Sequence, residues 1–485
     1  MKHIVAIDQG TTSTRAILFD EAGQPLETAA REFAQHYPRP GWVEHDPEDI
    51  WRDTVAVVKE VLSDETVAIG ITNQRETLVL WDRASGKPLH NAIVWQDRRT
   101  AEQCRQLKED GHEDEIRRIT GLLLDPYFSA TKLAWMLDHL DARAAASRGD
   151  LACGTIDSFL LWRLTGGKVH ATDITNAGRT QLCDIHEAAW SDTLLDLFEI
   201  DRSLLPQINE NAEIFGETNA ALFGRPIPIA GMAGDQQAAM IGQACFAPGM
   251  VKSTYGTGCF LLMNTGAEAL LSENRLLTTP AYTIGGERAF ALEGSIFVAG
   301  AAVKWLRDKL GLIAEAADSE EVARSVPDDH GITLVPAFVG LGAPHWQPDA
   351  RALLTGMTLD TSADHIVRAT LESIAFQTRD LVDAMRADGA DAPRDIRIDG
   401  GMAQNGWFAQ FLADVLETPV ERPASHETTA LGAAYLAGLT CGVWRDLDDI
   451  GANWEAAARF EPAMEDARRE ALLANWKRAL DLVLQ

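Results

Sequence analysis

Asp8 closes the short apolar run Ile4-Val5-Ala6-Ile7 and is followed by Gln9-Gly10-Thr11-Thr12-Ser13-Thr14-Arg15, a bend rich in backbone donors and hydroxyls. Such a bend can turn N–H groups and the hydroxyls of Thr11, Thr12 and Ser13 toward phosphate oxygens, with Asp8 supporting a hydrated Mg²⁺ and Arg15 neutralising phosphate charge. The same residues also make an ordinary hairpin turn. A second bend, Gly256-Thr257-Gly258, either holds phosphate from the opposite side or is a tight turn without a ligand. A third glycine-rich element runs through Asp399-Gly400-Gly401-Met402-Ala403-Gln404-Asn405. Its paired glycines would let the backbone lie against an adenosine, with Asn405 as a polar contact, unless the segment is a simple strand-to-helix turn. Gly294 to Gly300, ahead of the helix that carries Lys304, repeats the pattern.

Phosphoryl transfer also needs a base for the acceptor hydroxyl. Asp235 is the candidate: it ends the apolar, glycine-rich run Ile227 to Gly234, where a carboxylate can be held close to a substrate hydroxyl. The competing reading makes it the N-cap of a helix through Ala238 to Ile241. A polyol acceptor needs paired donors and acceptors beside an apolar wall. Asn73-Gln74-Arg75-Glu76-Thr77 sets a cation next to a carboxylate, and Trp95, Tyr127 and Phe260 could supply the wall. Taken singly, an Arg-Glu neighbour pair is usually a solvated surface feature, and an aromatic residue is usually core.

The elements that must position these residues alternate. Ile4–Ile7 and Ala16–Asp20 read as a β-hairpin, and Met250–Tyr255 with Cys259–Asn264 read as a second one, which predicts an internal duplication with lobes at 1–245 and 246–485. Segments 47–62 and 100–107 read as amphipathic helices, 67–72 and 78–81 as strands, and 363–385 as a long helix starting after Asp360-Thr361-Ser362. A mixed α/β pattern implies sheets flanked by helices in each lobe, packed across a cleft. Length agrees, because one core seldom serves more than about 250–300 residues and this chain has 485.

Composition narrows the function. The net charge is -29, from 43 Lys and Arg against 72 Asp and Glu, and a chain so acidic repels nucleic acid. No G-x-x-x-x-G-K-[ST] and no complete G-x-G-x-x-G follows a strand, which removes the main support for P-loop and Rossmann readings. The six cysteines are scattered without a C-x-x-C pair, so neither a zinc site nor a disulfide framework is signalled. Ile4–Ile7 is too short for a signal peptide, and no stretch approaches the roughly 18 apolar residues of a membrane span. A cytoplasmic location is expected.

Taken together these segments resemble the FGGY carbohydrate kinases of the actin-like ATPase superfamily. The resemblance runs through nearly the whole chain: Asp8 to Ser13, Asn73 to Thr77, Val94 to Arg99, Gly234 to Gln237, Tyr255 to Phe260, Gly340 to Trp346 and Asp399 to Gly401, with Tyr127 to Trp135 similar to the family signature. It implies an α/β fold of two actin-like (ribonuclease H-like) lobes, ATP and Mg²⁺ in the cleft, and transfer to the terminal hydroxyl of glycerol to give sn-glycerol 3-phosphate, the first step of glycerol catabolism. It also implies that Arg75, Glu76, Tyr127, Asp235 and Gln236 bind the acceptor, with Trp95 and Phe260 as its wall. Asp235 would be the base, and Asp8 and Asp235 would attend the metal. Thr11, Thr12, Ser13, Arg15, Thr257, Gly300, Gly401 and Asn405 match nucleotide contacts, and Lys304 stands where many members carry Gln. A homodimer or homotetramer is the common family state. The Gly-Gly-Thr-Arg loop through which some members respond to fructose 1,6-bisphosphate is not matched at Phe223-Gly224-Arg225-Pro226, so that regulation is not expected. A pentulose or sugar-acid kinase would need extra polar contacts in place of Trp95 and Phe260. An actin-like nucleotide switch would leave Arg75, Glu76 and Asp235 without a joint role.

Overall fold

The structure is a computed structural model and describes residues 2–485. Each predicted hairpin begins a sheet. In the first sheet, His3–Gln9 pairs antiparallel with Ser13–Phe19, which pairs with Pro25–Glu32. On its other side His3–Gln9 runs parallel to Thr66–Asn73, which runs parallel to Pro228–Gly234. The second sheet repeats this arrangement. Val251–Tyr255 pairs antiparallel with Cys259–Gly266, which pairs with Glu287–Ile296, and Val251–Tyr255 runs parallel to Ile396–Asp399 and then Val420–Pro423. The duplication read from two hairpins thus extends to five strands in one shared order.

Sequence pattern explains the elements. Ile4, Val5, Ala6 and Ile7 are all fully buried, because helices cover both faces of this strand and no alternation is needed. The first helix spans Pro47–Val61, with Asp46 capping it through Glu48 N and Pro47 in its first turn. The long helix spans Ala363–Ala387, opened by a capping box in which Ser362 and His365 exchange bonds. Its face from Val367 to Met385 is buried against the second sheet.

Two features depart from the expected layout. The strand Leu78–Asp82 leaves the first sheet and joins a small four-stranded sheet with Leu151–Thr155, Ala92–Ile93 and Glu44–His45. The helix Thr428–Thr440, late in the chain, returns to pack on the first sheet. Glycines allow that return: a Cβ at Gly70 would lie 2.1 Å from Ala433 O, and one at Gly231 2.4 Å from Ala437 N. Against the helix Asp235–Gly242 the backbones touch directly. A Cβ at Gly432 would lie 1.8 Å from Ala238 O, and one at Gly242 1.9 Å from Thr428 O. No helix among the described residues is long and apolar enough to cross a membrane.

Candidate active site

Asp8 and Arg15 face one another across the first hairpin because the strand register pairs them directly. Arg15 Nη2 donates to Asp8, and its Nη1 donates to Glu427 Oε2 at 2.8 Å. Between them the bend is closed by Gly10 N donating to Ser13 O at 2.9 Å, which leaves Thr12 exposed at its tip and Thr11 and Ser13 half-buried. Asp8 is nearly buried, and that burial pushes its carboxyl above the usual range despite Arg15.

Asp235 opens the helix Asp235–Gly242 as its first residue, with Gly234 in the cap position, so the N-cap reading does not hold in its simple form. Its Oδ1 accepts from Gln236 N at 2.8 Å and lies 3.3 Å from Arg75 Nε. The side chain remains 31% exposed. Burial of the rest raises its carboxyl, Arg75 and Lys252 oppose that rise, and Asp8 adds to it. Gln236 accepts from Lys252 Nζ.

Arg75 and Glu76 follow the strand Thr66–Asn73 and are 2% and 1% exposed, so the pair is a buried structure and not a solvated one. Two residues missed by sequence reasoning complete it. Arg75 donates through Nη1 and Nη2 to the two oxygens of Glu293 at 2.6 and 3.0 Å. Arg179 donates from Nε to Glu76 Oε1 at 2.7 Å and from Nη2 to Glu293 Oε1 at 3.0 Å. Burial alone would raise the Glu293 carboxyl, yet Arg179 and Arg75 outweigh it and hold it down at about 2. The signal was present in the sequence: Glu293 is the lone charged residue between Arg288 and Lys304, and Arg179 the lone one between Asp173 and Asp184. A charge isolated in such a run is buried only when paired.

The aromatic residues converge here. Trp95 meets Tyr127 edge-on at 5.6 Å and Phe260 at 6.2 Å, and all three are half-buried. Phe260 comes from the second sheet and also accepts from Lys252 Nζ through its carbonyl at 3.4 Å. Trp95 Nε1 donates to Thr11 Oγ1 at 3.0 Å, which ties the wall to the hydroxyl-rich bend.

The remaining candidates belong to the half built on the second sheet. Gly256 and Thr257 carbonyls accept from Gly300 N at 2.9 Å and Ala301 N at 3.0 Å, so this turn seats the start of the helix Gly300–Trp305. Thr257 and Lys304 are both exposed. Gly400, at φ 87°, lies so close to Tyr255 that a Cβ would sit 2.4 Å from its carbonyl oxygen, and this leaves Gly401 exposed beside the same turn. Asn405 caps the helix Gly406–Leu416 by accepting from Phe408 N at 2.9 Å, and it donates to Ser319 Oγ at 3.2 Å. The two halves join through Thr428, which donates to Asp399 Oδ2 at 2.6 Å next to Glu427 and Arg15.

The donor set suits a hard cation. Asp8 and Asp235 offer carboxylate oxygens that burial makes costly to ionise alone, and a cation shared between them would offset that cost. Among the described residues no group of three or more His, Cys, Asp and Glu gathers, so phosphate oxygens and water would fill the other positions.

The arrangement brings a part-exposed carboxylate, a buried Arg-Glu cluster and an aromatic trio beside the hydroxyl-rich bend. Residues 3–242 match the N-terminal domain of the FGGY family of carbohydrate kinases, and residues 251–441 match its C-terminal domain. This chain belongs to the FGGY family of carbohydrate kinases. Among FGGY members, a glycerol kinase from Gluconobacter oxydans is 59% identical over 98% of this chain and 94% of its own length. One from Rhodospirillum centenum is 57% identical, covering 98% and 97%. A crystal structure of Plasmodium falciparum glycerol kinase with ADP superposes with a TM-score of 0.95 at 39% identity, over 100% of this chain and 99% of that one. A xylulose kinase from Lactobacillus acidophilus reaches a TM-score of 0.89 at 22% identity, a likeness of fold.

Proposed function

We propose that this kinase transfers the γ-phosphoryl group of ATP to the terminal hydroxyl of glycerol, giving sn-glycerol 3-phosphate and ADP. The observation that carries the reading is the contact of Arg75, Glu76 and Asp235 inside a wall of Trp95, Tyr127 and Phe260, directly beside the Thr11 bend. Arg75 donates to hydroxyl oxygens, and Glu76 and Gln236 accept from hydroxyl protons. The apolar wall takes the carbon edge and leaves little polar lining for a longer sugar. The two glycerol kinases more than half identical over nearly the full chain support the same acceptor.

Asp235 receives the proton of the attacking hydroxyl as its oxygen forms a bond to the γ-phosphorus and the bond to the ADP oxygen breaks. Thr11, Thr12, Ser13 and Arg15 hold phosphate oxygens from the first sheet, and Thr257 does so from the second. Gly300, Lys304, Gly401 and Asn405 line the nucleoside side. Asp8 and Asp235 would hold Mg²⁺, which supplies charge neutralisation on the phosphates when bound. The division of labour largely follows the two halves: residues 1–245 bind acceptor and phosphate, with Thr257 and Phe260 reaching in from the second half, and residues 246–485 bind the adenine nucleotide. A cytoplasmic location is supported by six cysteines that remain unpaired.

A coupled ADP-release assay with ATP and Mg²⁺ tests the reading across glycerol, xylulose, gluconate, dihydroxyacetone and no acceptor. Release that depends on glycerol is the expected result. Equal release without any acceptor would replace the reading with a nucleotide switch.

A further inference from the structure

Four buried charges stand behind the acceptor pocket. Arg75, Glu76, Arg179 and Glu293 are each 2% exposed or less, and two cations balance two carboxylates. Each contact has a directional consequence. Because both oxygens of Glu293 are taken by the Nη1 and Nη2 of Arg75, the guanidinium plane is fixed with its Nε toward Asp235. Because Arg179 occupies Glu76 Oε1, the second oxygen of Glu76 is the one left for an acceptor hydroxyl. Arg179 is itself held by stacking near Tyr127 and Phe128, 5.5 and 5.3 Å from their ring centres. Its Nη1 has no hydrogen-bond partner among the described residues, although it is buried. Glu293 alone of the four comes from the second sheet, so a strand of one half fixes the acceptor-binding fork of the other.

We propose that Glu293 and Arg179 are positioning residues for the acceptor: Glu293 sets the orientation of Arg75, and Arg179 sets that of Glu76. The proposal rests on the acceptor reading given above. Neither residue reacts. The carboxylate of Glu293 holds Arg75, and the Nε of Arg179 holds Glu76.

A structural role and a positioning role separate through charge balance. Glu293→Gln leaves one buried cation uncompensated, which costs stability, while Arg179→Gln added to it restores two balanced charges, Arg75 and Glu76. Wild type, E293Q, E293D and the double variant R179Q/E293Q are compared by thermal melting and by the KM for glycerol and for ATP. Glycerol-dependent turnover by wild type checks the reading itself. The expected result is a glycerol KM at least ten-fold higher in E293Q with the ATP KM within two-fold. Recovery of melting temperature in the double variant, without recovery of the glycerol KM, is expected alongside. E293D keeps the charge but withdraws it by one methylene and falls between. A double variant whose glycerol KM returns to within two-fold of wild type as its stability returns would overturn the proposal, as would an unchanged glycerol KM in E293Q or E293D. If E293Q does not fold, the double variant and E293D decide the matter.

Discussion

The indole N–H of Trp95 donates to the hydroxyl of Thr11 at 3.0 Å, so the wall proposed for the acceptor and the bend proposed for the phosphates form one hydrogen-bonded unit. Trp95→Phe keeps an apolar ring and removes the donor. The lost bond costs about 1 kcal/mol, or roughly five-fold in kcat/KM. Because Thr11 loses its anchor while the wall persists, kcat/KM for ATP is expected to fall more than the affinity for glycerol. Steady-state kinetics with each substrate varied would show this, and a loss confined to the glycerol KM would contradict it.

Packing gives the second prediction. At Gly432 a Cβ would lie 1.8 Å from Ala238 O in the helix that begins with Asp235. Gly432→Ala must push two backbones apart, which costs about 3 kcal/mol. The helix start moves with it, so the variant is expected to lose both unfolding stability in urea and kcat. Gly451, inside the helix Leu447–Ala452, is the control: its added Cβ meets nothing, so Gly451→Ala is expected to leave kcat unchanged and to raise stability slightly, by up to about 1 kcal/mol.

These two sites show what the sequence made legible. Both hairpins, the Asp8 and Asp235 positions and the helix 363–385 follow from local pattern: apolar runs, a bend of small hydroxyl residues, a capping Ser362. The contacts made at long range did not. Glu293 lies 218 positions from Arg75, and nothing in spacing ties them; only the isolation of Glu293 and of Arg179 hinted that each needed a partner. The return of Thr428–Thr440 onto the first sheet is written in small residues, Gly70, Gly231, Gly242 and Gly432, that read as unremarkable until four backbones are seen in contact. Asn405 was read as a nucleotide contact, and its side chain is also spent as a helix cap, a use that the Asn-Gly-Trp-Phe pattern does not distinguish.

A pH effect on stability follows from His45, which is fully buried. Its Nε2 meets Gln35 Oε1 at 2.6 Å, and its Nδ1 faces the Gln74 amide nitrogen at 3.3 Å. That geometry suits a neutral ring, donor at Nε2 and acceptor at Nδ1. Burial, with repulsion from His36, pushes its pKa from 6.5 down to about 4. The unfolded chain therefore binds a proton between those values that the folded chain refuses. Stability is full above pH 6.5 and falls toward pH 4, by about 3 kcal/mol from this residue. Urea unfolding from pH 7.5 to 4.5 is expected to show the decline, and His45→Gln to flatten it. An equal slope in the variant would remove His45 as the cause.

Asp235 is proposed to take the proton from a glycerol hydroxyl. Asp235→Asn removes the base, while Arg75 keeps its two-pronged bond to Glu293 and so its place in the pocket. Calorimetric titration with glycerol, paired with turnover of the same protein preparation, tests the claim most directly. Binding within a few-fold of wild type with kcat lower by about 10² to 10⁴ is the predicted result. Turnover close to wild type would contradict it.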